Sequence, residues 1–195
     1  MAYHIYHTRG VVIWSMPTGE SNRFYKIFTE ELGLVGAVAQ SVREERSKLR
    51  FVLQDFSWVT LDLVRGKEVW RITSAGEEGT LAETKSDPAR LKIFARACSL
   101  VLRLVHGEGR EDTLFTDLLW VTEFLKKELI PKELEKASEA LVALRILAHL
   151  GYLDGTSDTE LLYPVPWSKE LLEVFEKKRI SLTSVINDAL SASQL

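Results

Sequence analysis

Hydrophobic and polar residues follow two rhythms along this chain. Up to about residue 75 the period is two. Tyr3 to Trp14 is rich in β-branched and aromatic residues and ends in Val11-Val12-Ile13-Trp14. Met16 to Asn22 then supplies turn formers. In Arg23 to Phe28, Phe24, Lys26 and Phe28 alternate with Arg23, Tyr25 and Ile27. Thr29 to Gly33 is a tight connection, and Leu34 to Val42 is a small apolar run. In Phe56 to Val64, Ser57, Val59, Leu61 and Leu63 oppose Phe56, Trp58, Thr60 and Asp62. Arg65-Gly66-Lys67 turns the chain, and Glu68 to Ser74 closes the set. These patterns predict five short strands.

Beyond Gly76 to Thr80 the period becomes helical. Asp87-Pro88 offers a cap and a first-turn proline. Leu91, Phe94, Cys98, Val101, Leu102 and Val105 follow at helical spacing, and Gly107 and Gly109 end the run. A second helix is predicted from an Asp112 cap to Ile130, and a third from Lys132 to Leu150. Asp154 to Glu160 reads as a solvated loop, followed by an extended segment between Pro164 and Pro166. Ser168 caps one further helix, and Ser181 or Thr183 a last one. The expected class is α+β: a five-stranded barrel of OB type over residues 1–79, then an all-helical domain over 80–195. Closure into a barrel removes exposed strand edges.

Composition narrows the chemistry. The net charge of −3 disfavours binding to polyanions over the whole surface, so contact with nucleic acid needs a local patch. The single cysteine, Cys98, allows neither an internal disulfide nor a four-cysteine zinc site, and it reads as a buried apolar residue. Neither a signal peptide nor a membrane-length apolar run is recognised, so a cytoplasmic protein is expected. A Gly-rich phosphate loop and a nucleophile triad are also lacking, and the spacing of His4 and His7 does not suit a metal pair on a strand. The expectation is a protein that performs no bond chemistry and holds neither cofactor nor metal.

The one charged cluster is Arg43, Arg46, Lys48 and Arg50, opposed by Glu44 and Glu45, for a segment charge of 4 − 2 = +2. A basic loop between strands suits a phosphate backbone. Arg9, Arg23, Lys26, Arg65, Lys67 and Arg71 are candidate companions. Tyr25, Trp58 and Trp70 are candidate base-stacking platforms, because every base offers a π-face.

Five short motifs in order carry a family resemblance. They are Tyr6-His7-Thr8-Arg9-Gly10-Val11-Val12, Gly19-Glu20-Ser21-Asn22-Arg23, Phe28-Thr29-Glu30-Glu31-Leu32-Gly33, Ala37-Val38-Ala39 and Ser47-Lys48-Leu49-Arg50. Their order and spacing resemble the N-terminal domain of the RecO family of recombination mediators. Leu147-Ala148-His149-Leu150-Gly151-Tyr152 is similar to a phrase in the family's helical domain. The resemblance implies an OB fold that binds single-stranded and double-stranded DNA, and a protein that associates with the nucleoid when bound. It implies RecR and the C-terminal tail of single-stranded-DNA-binding protein as partners, with Arg96 and Arg103 as candidate cations at a groove for that tail. Many members carry a four-cysteine zinc module after the Gly-Tyr pair. Here Leu153 to Tyr163 contains no cysteine.

The loop also departs from the family. Gln40-Ser41 stands where Lys-Gly is usual, and Glu44-Glu45 where neutral or basic residues are usual. Two functions follow. One is a DNA-binding mediator that promotes annealing or recombinase loading in DNA repair and recombination. The other is a protein-interaction adaptor whose barrel no longer contacts DNA.

Overall fold

The computed structural model describes residues 4–80, 87–153, 162, 163 and 165–192. Two compact units are formed; one holds five strands together with His106–Asp112, and the other holds the long helices.

In the first unit the strands are β1 (Ile5–Thr18), β2 (Asn22–Thr29), β3 (Gly33–Ala39), β4 (Ser57–Arg65) and β5 (Trp70–Thr80). Each strand bonds to two neighbours in the cyclic order β1-β2-β3-β5-β4, which closes a barrel. All pairings are antiparallel except β3 with β5, where Ala37, Val38 and Ala39 face Trp70, Arg71 and Ile72. Alternation decides what fills the interior: Val12, Tyr25, Ile27, Val35, Val59, Leu61, Leu63, Trp70 and Ile72 all point inward. Ala37 and Ala39 lie in the same cluster, and their small side chains leave room for Tyr25 and Trp70. The barrel expected from the hydrophobic pattern is therefore present.

Three local features differ from the sequence reading. Strand β1 continues past Trp14 to Thr18, because Met16, Pro17 and Thr18 pair with Phe24, Arg23 and Asn22; only Gly19, Glu20 and Ser21 remain as the turn. A four-residue helix, α1 (Leu49–Val52), lies between the basic loop and β4, where no helix was predicted. Leu49 and Val52 pack against the barrel core, but one helical turn is too short to show a period. Gly76 and Gly79, which read as a break, lie inside β5 and face Thr60 and Trp58.

His106–Asp112 belongs with the barrel. Glu108 accepts from Trp70 Nε1 at 3.0 Å and pairs with Arg65, and Arg110 lies 3.1 Å from Glu31. Gly33 has φ +66°, and a Cβ there would meet the Gly109 carbonyl oxygen at 2.1 Å. Only glycine meets both demands.

The second unit contains α2 (Pro88–Leu104), α3 (Asp112–Lys127), α4 (Glu135–His149) and α5 (Lys169–Ala192). Asp87 caps α2, accepting from the backbone of Ala89 at 3.0 Å and Arg90 at 3.3 Å. Cys98 is buried, as are Phe94, Leu114, Phe115, Leu125, Leu141, Leu144 and Phe175. The two final helices expected from the sequence are one helix of 24 residues. Ser168 does cap it, through the Leu171 N–H at 3.1 Å. Ser181 and Thr183 instead bond back to the carbonyls of Lys178 and Arg179, at 2.9 and 2.6 Å, so they sit mid-helix without starting a new one. A buried polar cluster lies in this core. Arg145 is fully buried and contacts Asp117 at 2.7 Å, and Asp117 also accepts from Trp167 Nε1 at 3.1 Å. The Asp154–Glu160 loop and Pro164 lie outside the described residues.

Candidate nucleic-acid interface

The basic loop is organised largely by its own contacts. Val42 is buried and anchors it. Ser41 adopts φ +52°, and its N–H donates to Asn22 Oδ1 at 2.9 Å. Arg43 donates to the carbonyl oxygens of Glu20 at 3.0 Å and Gly19 at 3.4 Å, which ties the loop to the β1–β2 turn. Arg46 donates to Glu44 at 2.8 Å. A hydrogen bond from Ser41, and then the one from Arg46, hold the Glu44 carboxyl below the usual carboxylate range. The Arg50 guanidinium lies over the Phe51 ring, 4.5 Å from its centre. Lys48 is exposed and pairs with no acid among the described residues.

The companion cations divide into two groups. Arg9 binds Glu30 at 2.6 and 2.8 Å and Glu78 at 3.3 Å, and these carboxylates raise its pKa further. Arg65 is paired with Glu108 and stacks on Trp70 at 4.8 Å. Both are largely neutralised. Arg23 donates to Ser15 Oγ at 2.9 Å, and that hydroxyl donates in turn to Asp55. Lys26, Lys67 and Arg71 have no acidic partner among the described residues, and Lys67 and Arg71 are exposed.

The three aromatic residues expected to stack bases do not reach the surface. Tyr25 is 1% exposed, and Trp58 and Trp70 are 3% exposed. Burial pushes the Tyr25 phenol up to about 12. Tyr25 and Trp70 fill the barrel, where Trp70 meets Tyr6 edge to face at 5.0 Å. A buried ring has no free face for a base.

The exposed aromatic residues are others. Phe51 on α1 is 69% exposed and Trp14 on β1 40%, and the apolar Met16 near Trp14 is 45% exposed. Trp14 meets Phe24 at 6.5 Å with an interplanar angle of 70°, and Lys26 Nζ lies 6.0 Å from the Phe24 ring centre. The pairings Met16↔Phe24, Phe24↔Val38 and Val38↔Arg71 set four outward residues in one row across β1, β2, β3 and β5. Trp14, Lys26 and Gly36 form the adjacent row. A groove of about 770 Å³ continues from Val38 past Gln40, Lys67, Val69 and Arg71. Sequence reasoning missed Trp14 and Phe24 as surface groups. One signal was present: Val11-Val12-Ile13 are three consecutive apolar residues, which breaks strict alternation just before Trp14.

Arg96 and Arg103 are both exposed on α2. Among the described residues, no group of three or more His, Cys, Asp and Glu is placed to hold a metal ion, and no helix is long and apolar enough to cross a membrane.

Comparison with known proteins shows what this chain is similar to. Residues 1–76 match the family model described as "Recombination protein O N terminal". The chain is 29% identical to the DNA repair protein RecO of Heliobacterium modesticaldum over 170 residues, covering 84% of this chain and 60% of that one. It is 29% identical to the DNA repair protein RecO of Rubrobacter xylanophilus over 157 residues, covering 79% of this chain and 62% of that one. For Dehalococcoides mccartyi the figures are 27% over 122 residues, 63% and 48%. The matches thus span about half to three fifths of the relatives' length. The N-terminal match, the relatives whose similarity runs on into the helices and the barrel-then-helices order agree: the chain is similar to RecO proteins, and its residues 1–76 match their N-terminal domain.

Proposed function

We propose that this chain is a DNA repair protein that binds single-stranded DNA, and also duplex, through its barrel and acts as a recombination mediator without bond chemistry. The observation that carries the reading is the set of cations with no acidic partner among the described residues, Lys26, Lys67 and Arg71, spread over one barrel that matches the N-terminal domain of RecO proteins. Lys48 and the carbonyl-bound Arg43 add to it from the loop. Phosphate contacts of this kind supply affinity without reading sequence. Annealing or recombinase loading would follow from holding a strand, with RecR and the tail of single-stranded-DNA-binding protein as protein partners. For the tail, Arg96 and Arg103 on α2 are the candidate cations.

Salt titration tests the reading. If about four phosphates are contacted, the log–log slope of affinity against salt on a single strand is near −3. Absence of binding at low salt would overturn it. The adaptor reading is favoured by Arg9, Arg46 and Arg65, whose charges are already taken by acids. It expects retained binding to RecR or the tail peptide, with no salt-dependent affinity for DNA.

A further inference from the structure

A β-bulge decides what the outer wall of the barrel presents. In β1, Val12 pairs with Ile27, whereas Trp14 pairs with Lys26, so Ile13 is one residue extra. Val12 points into the barrel core. With a strict period of two, Trp14 would point inward as well. The bulge re-aims it outward, beside Lys26 and diagonal to Phe24. On β3, Gly36 lies beneath this pair. A Cβ at Gly36 would meet the Phe24 ring at 2.8 Å, through Cζ, so the far edge of the ring takes the space that a side chain there would fill. That is a common way to protect a glycine in a sheet, and alone it explains Phe24. It does not explain why Trp14 and Met16 stay exposed beside it, next to Lys26, which no acid among the described residues neutralises.

We propose that this strip is a base-stacking platform for single-stranded nucleic acid. Trp14 and Phe24 offer the ring faces, and Lys26, Arg71 and Lys67 take the phosphates. The proposal rests on the DNA-binding reading above and adds a strand preference with its cause. Charge complementarity selects the occupant. An apolar segment of another protein would be served by Trp14, Met16 and Phe24 but has no use for Lys26 beside them or for Arg71 and Lys67 in the adjoining groove, none of which meets an acid among the described residues. A strand with unpaired bases uses both groups. A duplex keeps its bases stacked on one another and offers only phosphates. Arg71 lies two strand spacings from Phe24, roughly 10 Å, so a base on the ring and a phosphate on the guanidinium belong to the same short stretch of strand. Glu68 is the acid in the adjoining groove and sets its less favourable end.

The test compares the intact chain with Trp14→Ala, Phe24→Leu and their combination. Leucine keeps Gly36 covered and removes the π-face, and Trp14→Phe serves as the conservative control. Thermal unfolding verifies that each variant folds. Each protein is titrated with a labelled deoxyoligonucleotide, its duplex, and an abasic oligonucleotide of equal length. The expected result is a loss of about tenfold or more for the single strand in the double variant. Trp14→Phe retains most of the affinity. Duplex and abasic affinities stay unchanged, and the intact chain binds the abasic strand as weakly as the double variant binds the natural one. An equal loss for single strand and duplex, or no loss for either, would overturn the platform while leaving DNA binding in place. Failure of the intact chain to bind any of the three would overturn both readings.

Discussion

The loop from Arg43 to Arg50 and the outer wall of β1, β2, β3 and β5 lie on one barrel and reverse the order that sequence suggests. The loop is the most basic stretch of the first eighty residues, yet most of its charge is engaged. Arg43 holds two carbonyl oxygens, Arg46 holds Glu44, and Arg50 lies on Phe51. The wall looks unremarkable in sequence, with single cations scattered over separate strands. Folding aligns Lys26 and Arg71 with Trp14 and Phe24, and no acid among the described residues pairs with either cation. Charge density along a chain is therefore a poor measure of the charge a fold offers. What matters is which face of the pleat a residue takes and whether a carboxylate reaches it.

The sharpest break in this comparison separates buried from exposed rings. Trp70→Ala removes a core side chain and its bond to Glu108, and is expected to cost about 3–5 kcal/mol of stability in chemical denaturation. Trp14→Ala on the wall is expected to change stability by only about 0.5 kcal/mol. Equal costs would place Trp14 in the core and refute the outward aim of the bulge. Next in size are the cations. Charge reversal at Arg71 or Lys26 is expected to weaken single-strand binding several-fold and to make the salt slope less steep by about 0.7 each. Arg46→Glu is expected to matter less than either, since Arg46 is already paired at the surface. A larger effect at Arg46 would return the site to the loop.

The smallest expected effect concerns acid. Glu30 has its carboxyl pKa lowered chiefly by the hydrogen bond from Arg9. A lowered folded-state pKa stabilises the fold above the unfolded value and loses that contribution as pH falls through the folded one. Between pH 6 and pH 3 the melting temperature of the intact chain is therefore expected to fall slightly more than that of Glu30→Gln. An identical fall would show that the Arg9–Glu30 pair contributes nothing measurable.

Much of the architecture was legible before any coordinates. Period-two alternation separated the two faces of Arg23–Phe28 and of Phe56–Val64, and the barrel buries the faces of Tyr25 and Ile27 and of Val59, Leu61 and Leu63. Asp87 and Ser168 announced their helices because capping chemistry is local. What escaped was decided by non-local contacts. Ser181 and Thr183 read as caps until their carbonyl partners made them interior to α5. The neutralisation of Arg65 by Glu108 joins residues 43 apart. Tyr25, Trp58 and Trp70 are buried and Trp14 is exposed for a related reason: a residue's face follows from register, which a partner strand fixes and a one-residue bulge shifts.

Photo-crosslinking tests the central claim most directly. A single-stranded oligonucleotide carrying 5-iododeoxyuridine would be bound at low salt, irradiated, and the attachment sites mapped by mass spectrometry. The expected attachments are at Trp14 or Phe24 on the outer wall. Attachments confined to Phe51 beside the basic loop, or to α2–α5, would contradict the account.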